Sequence, residues 1–480
     1  MQPLAYRLVL PVLFAVAASL GLSSFCGFYV ARDDARLLNK TSQVILVRDG
    51  NQTVLTMSND FQGDVKEFAM VVPVPTVLRR DQIKLASATV FEKLDAYSGP
   101  RLVEYDDFGP CGRLMMGDGM ATASSPDMAA VSKPEKSSSV TVEARYDVGE
   151  YDILILNAQE SGALKKWLLD NGYKIPPGAE EVLDPYIKSG LKFFVAKVDV
   201  TAFEKGGFGN LRPLQISFES PRFMLPIRLG MANAEEFQDL IVYAFSKKGR
   251  IESTNYRTVE SPTDLDVPTF VRDRFNDFYR AAWEKTWGGQ KNALFLEYAW
   301  DLSSSNYLMC DPCAGDPPVL ADLQDAGIPW VGPRSEESTG SADYEGDLYM
   351  TRLHLRYDRA TFPQDLVFQE TPNREPFQIR YVMHIPTLEV NCEGAGAYFK
   401  EVYERRVAEL ANLSAATGWD SGQYGYYTEE YRKQAEAAGM DVPSSPEGGS
   451  SIGGRSNLWV VLGMMALVIG IVFFNARAKK

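Results

Sequence analysis

The chain has 480 residues, 45 % of them hydrophobic, which suits a globular protein of two or three domains at about 100 to 200 residues each. Its 49 Lys and Arg against 63 Asp and Glu leave a net charge of −14, and no basic cluster exists outside the extreme C-terminus, so nucleic acid is excluded as an expected partner. Five cysteines allow at most two disulfides with one thiol left over.

At the N-terminus Arg7 precedes an apolar run over residues 8–20, followed by Gly21, Ser23 and Ser24. Charge, apolar core and small residues in that order predict a signal peptide over residues 1–24 and export of the remainder of the chain. The uncharged run continues to Val30, so an uncleaved signal anchor is the alternative. Lipidation of Cys26 is disfavoured by Phe25, which stands where a lipoprotein signal wants a small residue.

A β-rich unit is expected over residues 25–111. Runs at 43–49 and 52–59, separated by Gly50-Asn51 after Asp49, read as a hairpin. The continuous apolar run at 68–72 reads as a buried strand stopped by Pro73 and Pro75. A helix over 87–97 and a strand over 102–105 complete the unit. Residues 112–139 are rich in Met, Ala, Ser, Lys and Pro without a period of 2 or 3.6, which predicts a disordered insertion. Met115, Met116, Met120 and Met128 have only Cys111 for company, so no metal site is expected there.

A second unit, 140–260, has a strand at 151–156, helices from about 161 and 179, and strands at 191–200, 214–218, 223–229 and 240–245. Leu164, Trp167 and Leu168 stand at i, i+3 and i+4, and this stripe is expected to lie on a sheet. Asn171-Gly172 supplies the helix stop. The third unit, 261–440, opens with a helix over 269–287 whose Phe270, Phe275, Phe278, Trp283 and Trp287 read as core. Strands at 293–300, 347–357 and 377–385 follow, with helices at 320–324, 397–413 and 428–438. Proline-broken runs start at Glu67, Arg222 and Gln378; proline at strand ends is common without any repeat, so an internal duplication is the lesser reading of them.

Residues 441–456 are rich in Pro, Gly and Ser and predict a flexible stalk. Beyond it, the uncharged run at 458–474 would form a helix of roughly 26 Å, long enough to span a bilayer within 457–475. Trp459 lies near one end of this run, and Arg477, Lys479 and Lys480 in the 476–480 tail lie beyond the other. The positive-inside tendency places the tail in the cytoplasm and the rest outside.

Cys310-Asp311-Pro312-Cys313 is the sharpest chemical candidate, because a CxxC pair closes a small ring and lowers one thiol pKa. A structural short-loop disulfide and an exchange-active pair are the two readings. Without a second CxxC, tetrahedral zinc is hard to complete. Cys26, Cys111 and Cys392 are further disulfide candidates. Of the two histidines, His354 alternates with Leu353 and Leu355 and shares a face with Arg352 and Arg356, whose guanidiniums should repel a cation. His384 alternates in the same way with Met383 and Ile385. The acidic pairs Asp33-Asp34 and Asp106-Asp107 read as solvated loop charges. Nucleophile elbow, zincin helix, P-loop and dinucleotide fingerprint are all missing, so catalytic residues, cofactors and metal ligands are expected to be none.

The phrases Cys26-Gly27-Phe28, QVILVRDGNQTVLTMSNDFQG, KEFAMVVPVPTVL, LDAYSGPRLVEY, YDILILNAQESGALKKWLLDNGY and CDPC resemble the bacterial domain of unknown function 2330 family. The resemblance runs from about Cys26 to the helix near Ala397. It implies an exported protein, often with a C-terminal membrane segment, and no catalytic residues to carry over. It also implies that Cys26 belongs to the folded part. Together these features predict an α+β, β-rich mixed ectodomain with antiparallel sheets and packed helices, plus one C-terminal transmembrane helix. Its expected role is a binding or structural module at the cell surface or in the periplasm, with the membrane as a partner through that helix. A thiol-disulfide redox protein using Cys310 and Cys313 is the alternative.

Overall fold

The computed structural model describes residues 28–31, 42–58, 68–107, 109–111, 140–158, 161–171, 179–206, 211–232, 237–303, 315–335, 342–387, 390 and 392–442. They fall into two compact units. The larger takes the described chain up to Asp106 and from Val140 to Ile385, and the smaller takes the short described stretch from Asp107 together with the described residues from Pro386 on.

The larger unit opens with β1 (Phe28–Ala31), β2 (Ser42–Asp49), β3 (Gln52–Ser58), β4 (Phe68–Val74), β5 (Ile83–Leu85), α1 (Thr89–Ser98) and β6 (Arg101–Asp106). Next come β7 (Val140–Val148), β8 (Tyr151–Ala158), α2 (Ser161–Asp170), α3 (Ala179–Lys188), β9 (Lys192–Val198), α4 (Val200–Gly206), β10 (Leu214–Glu219) and β11 (Met224–Leu225). Then follow β12 (Gln238–Ser246), β13 (Ile251–Ser253), β14 (Arg257–Glu260), β15 (Leu265–Asp266), α5 (Phe275–Gly289), β16 (Ala293–Asp301) and α6 (Leu320–Asp325). The last strands are β17 (Gly332–Pro333), β18 (Tyr344–Glu345), β19 (Tyr349–Tyr357), β20 (Leu366–Glu370), β21 (Phe377–Gln378) and β22 (Arg380–Ile385). The smaller unit holds α7 (Ala395–Thr417) and α8 (Tyr426–Ala437).

Two sheets dominate. A mixed nine-stranded sheet runs β14-β16-β19-β12-β2-β3-β10-β5, with β21 added on β16. A five-stranded antiparallel sheet runs β1-β4-β9-β8-β7. Alternate residues of each sheet point at the other: Val44, Leu46, Leu240, Leu353 and Leu355 from the first meet Met70, Val72, Ile153, Ile155 and Phe194 from the second in one dry core. The outer faces are covered by helices. Leu164 and Leu168 of α2, with Leu183 and Ile187 of α3, bury the far face of the five-stranded sheet, as the stripe on α2 predicts. Val90, Phe91 and Leu94 of α1 and Leu323 of α6 cover the far face of the nine-stranded sheet, while Trp283 of α5 packs on Ala293 and Phe295 of β16. The larger unit is therefore an α+β stack of four layers.

The β2–β3 hairpin is as expected, with Gly50 at φ +59° supplying the left-handed turn residue that β-branched or bulky side chains resist. Elsewhere the structure differs. β4 does not stop at Pro73 but runs through it to Val74, with Pro73 opposite Phe193 of β9 and the antiparallel pairing continuing to Lys192. β7 lies where no strand is expected, although Val142, Ala144, Tyr146 and Val148 alternate along it. The run at 223–229 keeps only two strand residues before Pro226, and residues 269–274 form a tighter 3-10 turn ahead of α5. The three proline-broken runs lie in three different sheets, as β4, β11 and β22. Strands of the nine-stranded sheet come from each of the three stretches 25–111, 140–260 and 261–440. Among the described residues no helix is long and apolar enough to cross a membrane, and the predicted signal peptide, insertion and membrane span, with the stalk from residue 443 on, lie outside them.

Candidate functional site

The densest meeting of titratable groups lies where β12, β19 and β16 face α1 and α5. Arg352, His354 and Arg356 alternate along β19 and share one face, opposite the core residues Leu353, Leu355 and Tyr357. Pairing across β12 sets Tyr243 beside Arg352, Ile241 beside His354 and Asp239 beside Arg356. On the other side β16 carries a bulge between Leu296 and Tyr298, and Glu297 is the extra residue. The bulge lets Glu297 and Tyr298 both reach the helix-covered face, where strict alternation would send only one of them.

Glu297 is buried and fully engaged. Its Oε2 accepts from Nε of Arg352 at 2.6 Å, its Oε1 lies 2.8 Å from Nδ1 of His354, and the Tyr279 hydroxyl donates to Oε1. Asp239 closes the other end: it accepts a two-pronged bond from Arg356 at 2.8 and 2.9 Å, and its Oδ1 is 3.6 Å from Nε2 of His354. Arg352 also donates to Asp95 at 2.7 Å, and the Tyr243 hydroxyl donates to the same carboxylate oxygen at 3.0 Å. Trp283 lies flat on the imidazole, ring centroids 4.2 Å apart, and Arg356 stands over Trp283 and Trp287 at 4.6 and 5.3 Å.

Burial opposes the charge on His354, but Glu297 and Asp239 outweigh it and hold the imidazole up at about 9. Burial likewise pushes Glu297 up, and His354 and Arg352 together pull it down to about 2. Asp239 is also lowered, burial being outweighed by His354 and Arg356. Three cations therefore face three carboxylates, and the expected repulsion of a third cation by two guanidiniums is overturned because each guanidinium has its own acid. An imidazolium with a carboxylate at each nitrogen offers no lone pair to a substrate.

His384 stands apart on the three-stranded sheet β15-β22-β6, its Nε2 3.2 Å from Asp266 and its ring 6.1 Å from that of Tyr105. Asp107 is not a solvated loop charge: it is half-buried, accepts from Tyr398 at 3.1 Å and pairs with Arg405, both on α7. Cys111 and Cys392 form a disulfide with Cα atoms 6.0 Å apart. Cys26, Cys310 and Cys313 lie outside the described residues, as do Asp33, Asp34 and the methionine tract. Among the described residues no group of three or more His, Cys, Asp or Glu could hold a metal ion.

Sequence reasoning places Arg352, His354 and Arg356 together but misses Asp95, Asp239, Tyr279 and Glu297. One signal is present. Glu297 is a lone acid inside the apolar run of β16, and a carboxylate there demands a buried cation.

A bacterial family whose description is "uncharacterized protein conserved in bacteria", DUF2330, has a model that matches residues 21–369. No curated protein and no solved structure matches the chain.

Proposed function

We propose that the chain, which belongs to the bacterial DUF2330 family, is a binding or structural module held outside the cytoplasm by a C-terminal membrane helix. The observation that carries this reading is the uncharged run at 458–474, set between a Gly/Ser stalk and the basic residues Arg477, Lys479 and Lys480. The exposed Cys111–Cys392 disulfide suits an oxidising compartment. The charged groups that the fold gathers around His354 already hold one another, which favours a framework over a reaction centre.

Protease added to intact cells tests the topology. With a tag after Lys480, digestion of all but a small tagged fragment is expected, and full protection of the region before the stalk would overturn the orientation. The same protein, purified, permits a reduction potential to be measured for Cys310 and Cys313. A value below about −300 mV marks a structural bridge and leaves the thiol-exchange alternative without support.

A further inference from the structure

The chain enters the smaller unit twice, from neighbouring points. β6 and β22 pair in parallel, with His384 beside Tyr105 and Ile385 beside Asp106 at their carboxyl ends. One departure comes after Asp106 and the other after Ile385. Inside the smaller unit the two departing segments are fastened to each other. Thr387 Oγ1 donates to the Asp107 carbonyl at 2.6 Å. The Tyr398 hydroxyl donates to the Asp107 carboxylate at 3.1 Å and accepts the Thr387 N–H at 2.8 Å. Arg405 pairs with that same carboxylate, and the Cys111–Cys392 bond joins the segments covalently three residues before α7 begins.

This arrangement does more than staple a loop. The two cysteines are 281 positions apart, so β7 through β22 and α2 through α6 all lie within one covalent ring. Whatever pulls on the chain beyond α8 reaches Cys392 through α7 before it reaches β22.

We propose that the Asp107 cluster and the Cys111–Cys392 bond form a clasp that shares a pull from the C-terminal tether between β6 and β22, instead of letting it peel β22 alone. The proposal rests on the tethered reading of the chain. Without the clasp a pull peels β22 from β6 one bond at a time; with it the two parallel strands are drawn together, the ladder between them carries no peeling load, and both strands must be displaced at once, so the clasp slows mechanical detachment.

Force measurements on the full chain in detergent test it, with handles fused ahead of residue 28 and after Lys480. In the oxidised protein the ring cannot be extended, so full unfolding should fall short of that of the C111S/C392S variant by roughly 900–1,000 Å, at about 3.3–3.6 Å per residue. At fixed load the first rupture should be at least about tenfold slower with the bond than without it. Because the double variant could fold poorly, wild-type protein reduced in place by a water-soluble phosphine supplies the second arm. There the phosphine becomes its oxide, water gives the oxygen and two protons, and two free thiols appear. Equal rupture rates with and without the bond overturn the proposal, and so does full extension of the oxidised chain. The measurement is made in detergent, so an inverted topology on cells would leave its outcome unchanged, and the two failures are distinguishable.

Discussion

Two buried charge clusters in this protein use similar parts and come out with opposite electrostatics. On the nine-stranded sheet, Glu297 meets Arg352 and His354 at once and its carboxyl is drawn down to about 2. In the smaller unit, Glu409 accepts from Arg406 at 2.7 and 2.9 Å and from the Tyr427 hydroxyl at 2.7 Å, yet burial outweighs Arg406 and its carboxyl is raised. The difference lies in how closely the cations approach each acid. Both cations of Glu297 are hydrogen-bonded to it, at 2.6 and 2.8 Å, whereas Glu409 bonds Arg406 directly and has Arg405 only at 3.8 Å, where its weaker pull leaves the loss of water ahead. Arg406 itself stands over Tyr427 at 4.7 Å, so part of its charge is spread on a ring rather than on the acid.

The largest expected effect breaks that contrast directly. Glu297→Gln removes the charge that folding favours and should destabilise the protein by about 3 kcal/mol at pH 7, since each pKa unit is worth about 1.4 kcal/mol. Glu409→Gln replaces a carboxyl that folding already prefers neutral, and should cost about 1 kcal/mol or less. Urea unfolding followed separately for the two units reads both numbers; equal losses would refute the comparison.

A pH series sharpens it further. His354 is raised to about 9 in the fold. From an unfolded value of about 6.5, its stabilisation is complete below about pH 6.5 and is lost as pH rises through 9, by up to about 3 kcal/mol. Glu297 runs the other way: its contribution is present above about pH 4.5 and fades as pH falls toward 2. Melting curves of the wild type and His354→Leu between pH 6 and 10 should converge at the alkaline end, and a constant gap would assign the stabilisation elsewhere.

The smallest effect belongs to Arg432 on α8, whose partners Glu429 and Glu436 are partly in water. Arg432→Ala should lower the melting temperature only slightly, and the difference should vanish in high salt. A large loss that persists in high salt would show that the surface of α8 is packed against something.

Legibility tracks sequence distance. The stripe Leu164, Trp167 and Leu168 and the Gly50 turn are readable because the residues that make them lie within one or two turns of one another. So is the common face of Arg352, His354 and Arg356. Asp239 and Glu297 cannot be assigned to His354 from sequence, because a strand's partners and a one-residue bulge leave no local trace. β7 escapes a reading by periodicity because it opens directly behind a stretch that has none, and its own alternation is the available signal.

The sequence by itself determined many of the elements, the α+β class, the family and the expectation of a membrane tether, since propensity, periodicity and apolar run length are properties of neighbouring residues. Only the tertiary structure decided that β6 and β22 lie side by side, that Cys111 meets Cys392 across 281 positions, and that His354 sits between two acids. Those contacts arise from closing long loops around a shared core, where burial of apolar faces selects the partners and the charges must pair with whatever the sheet order brings to them.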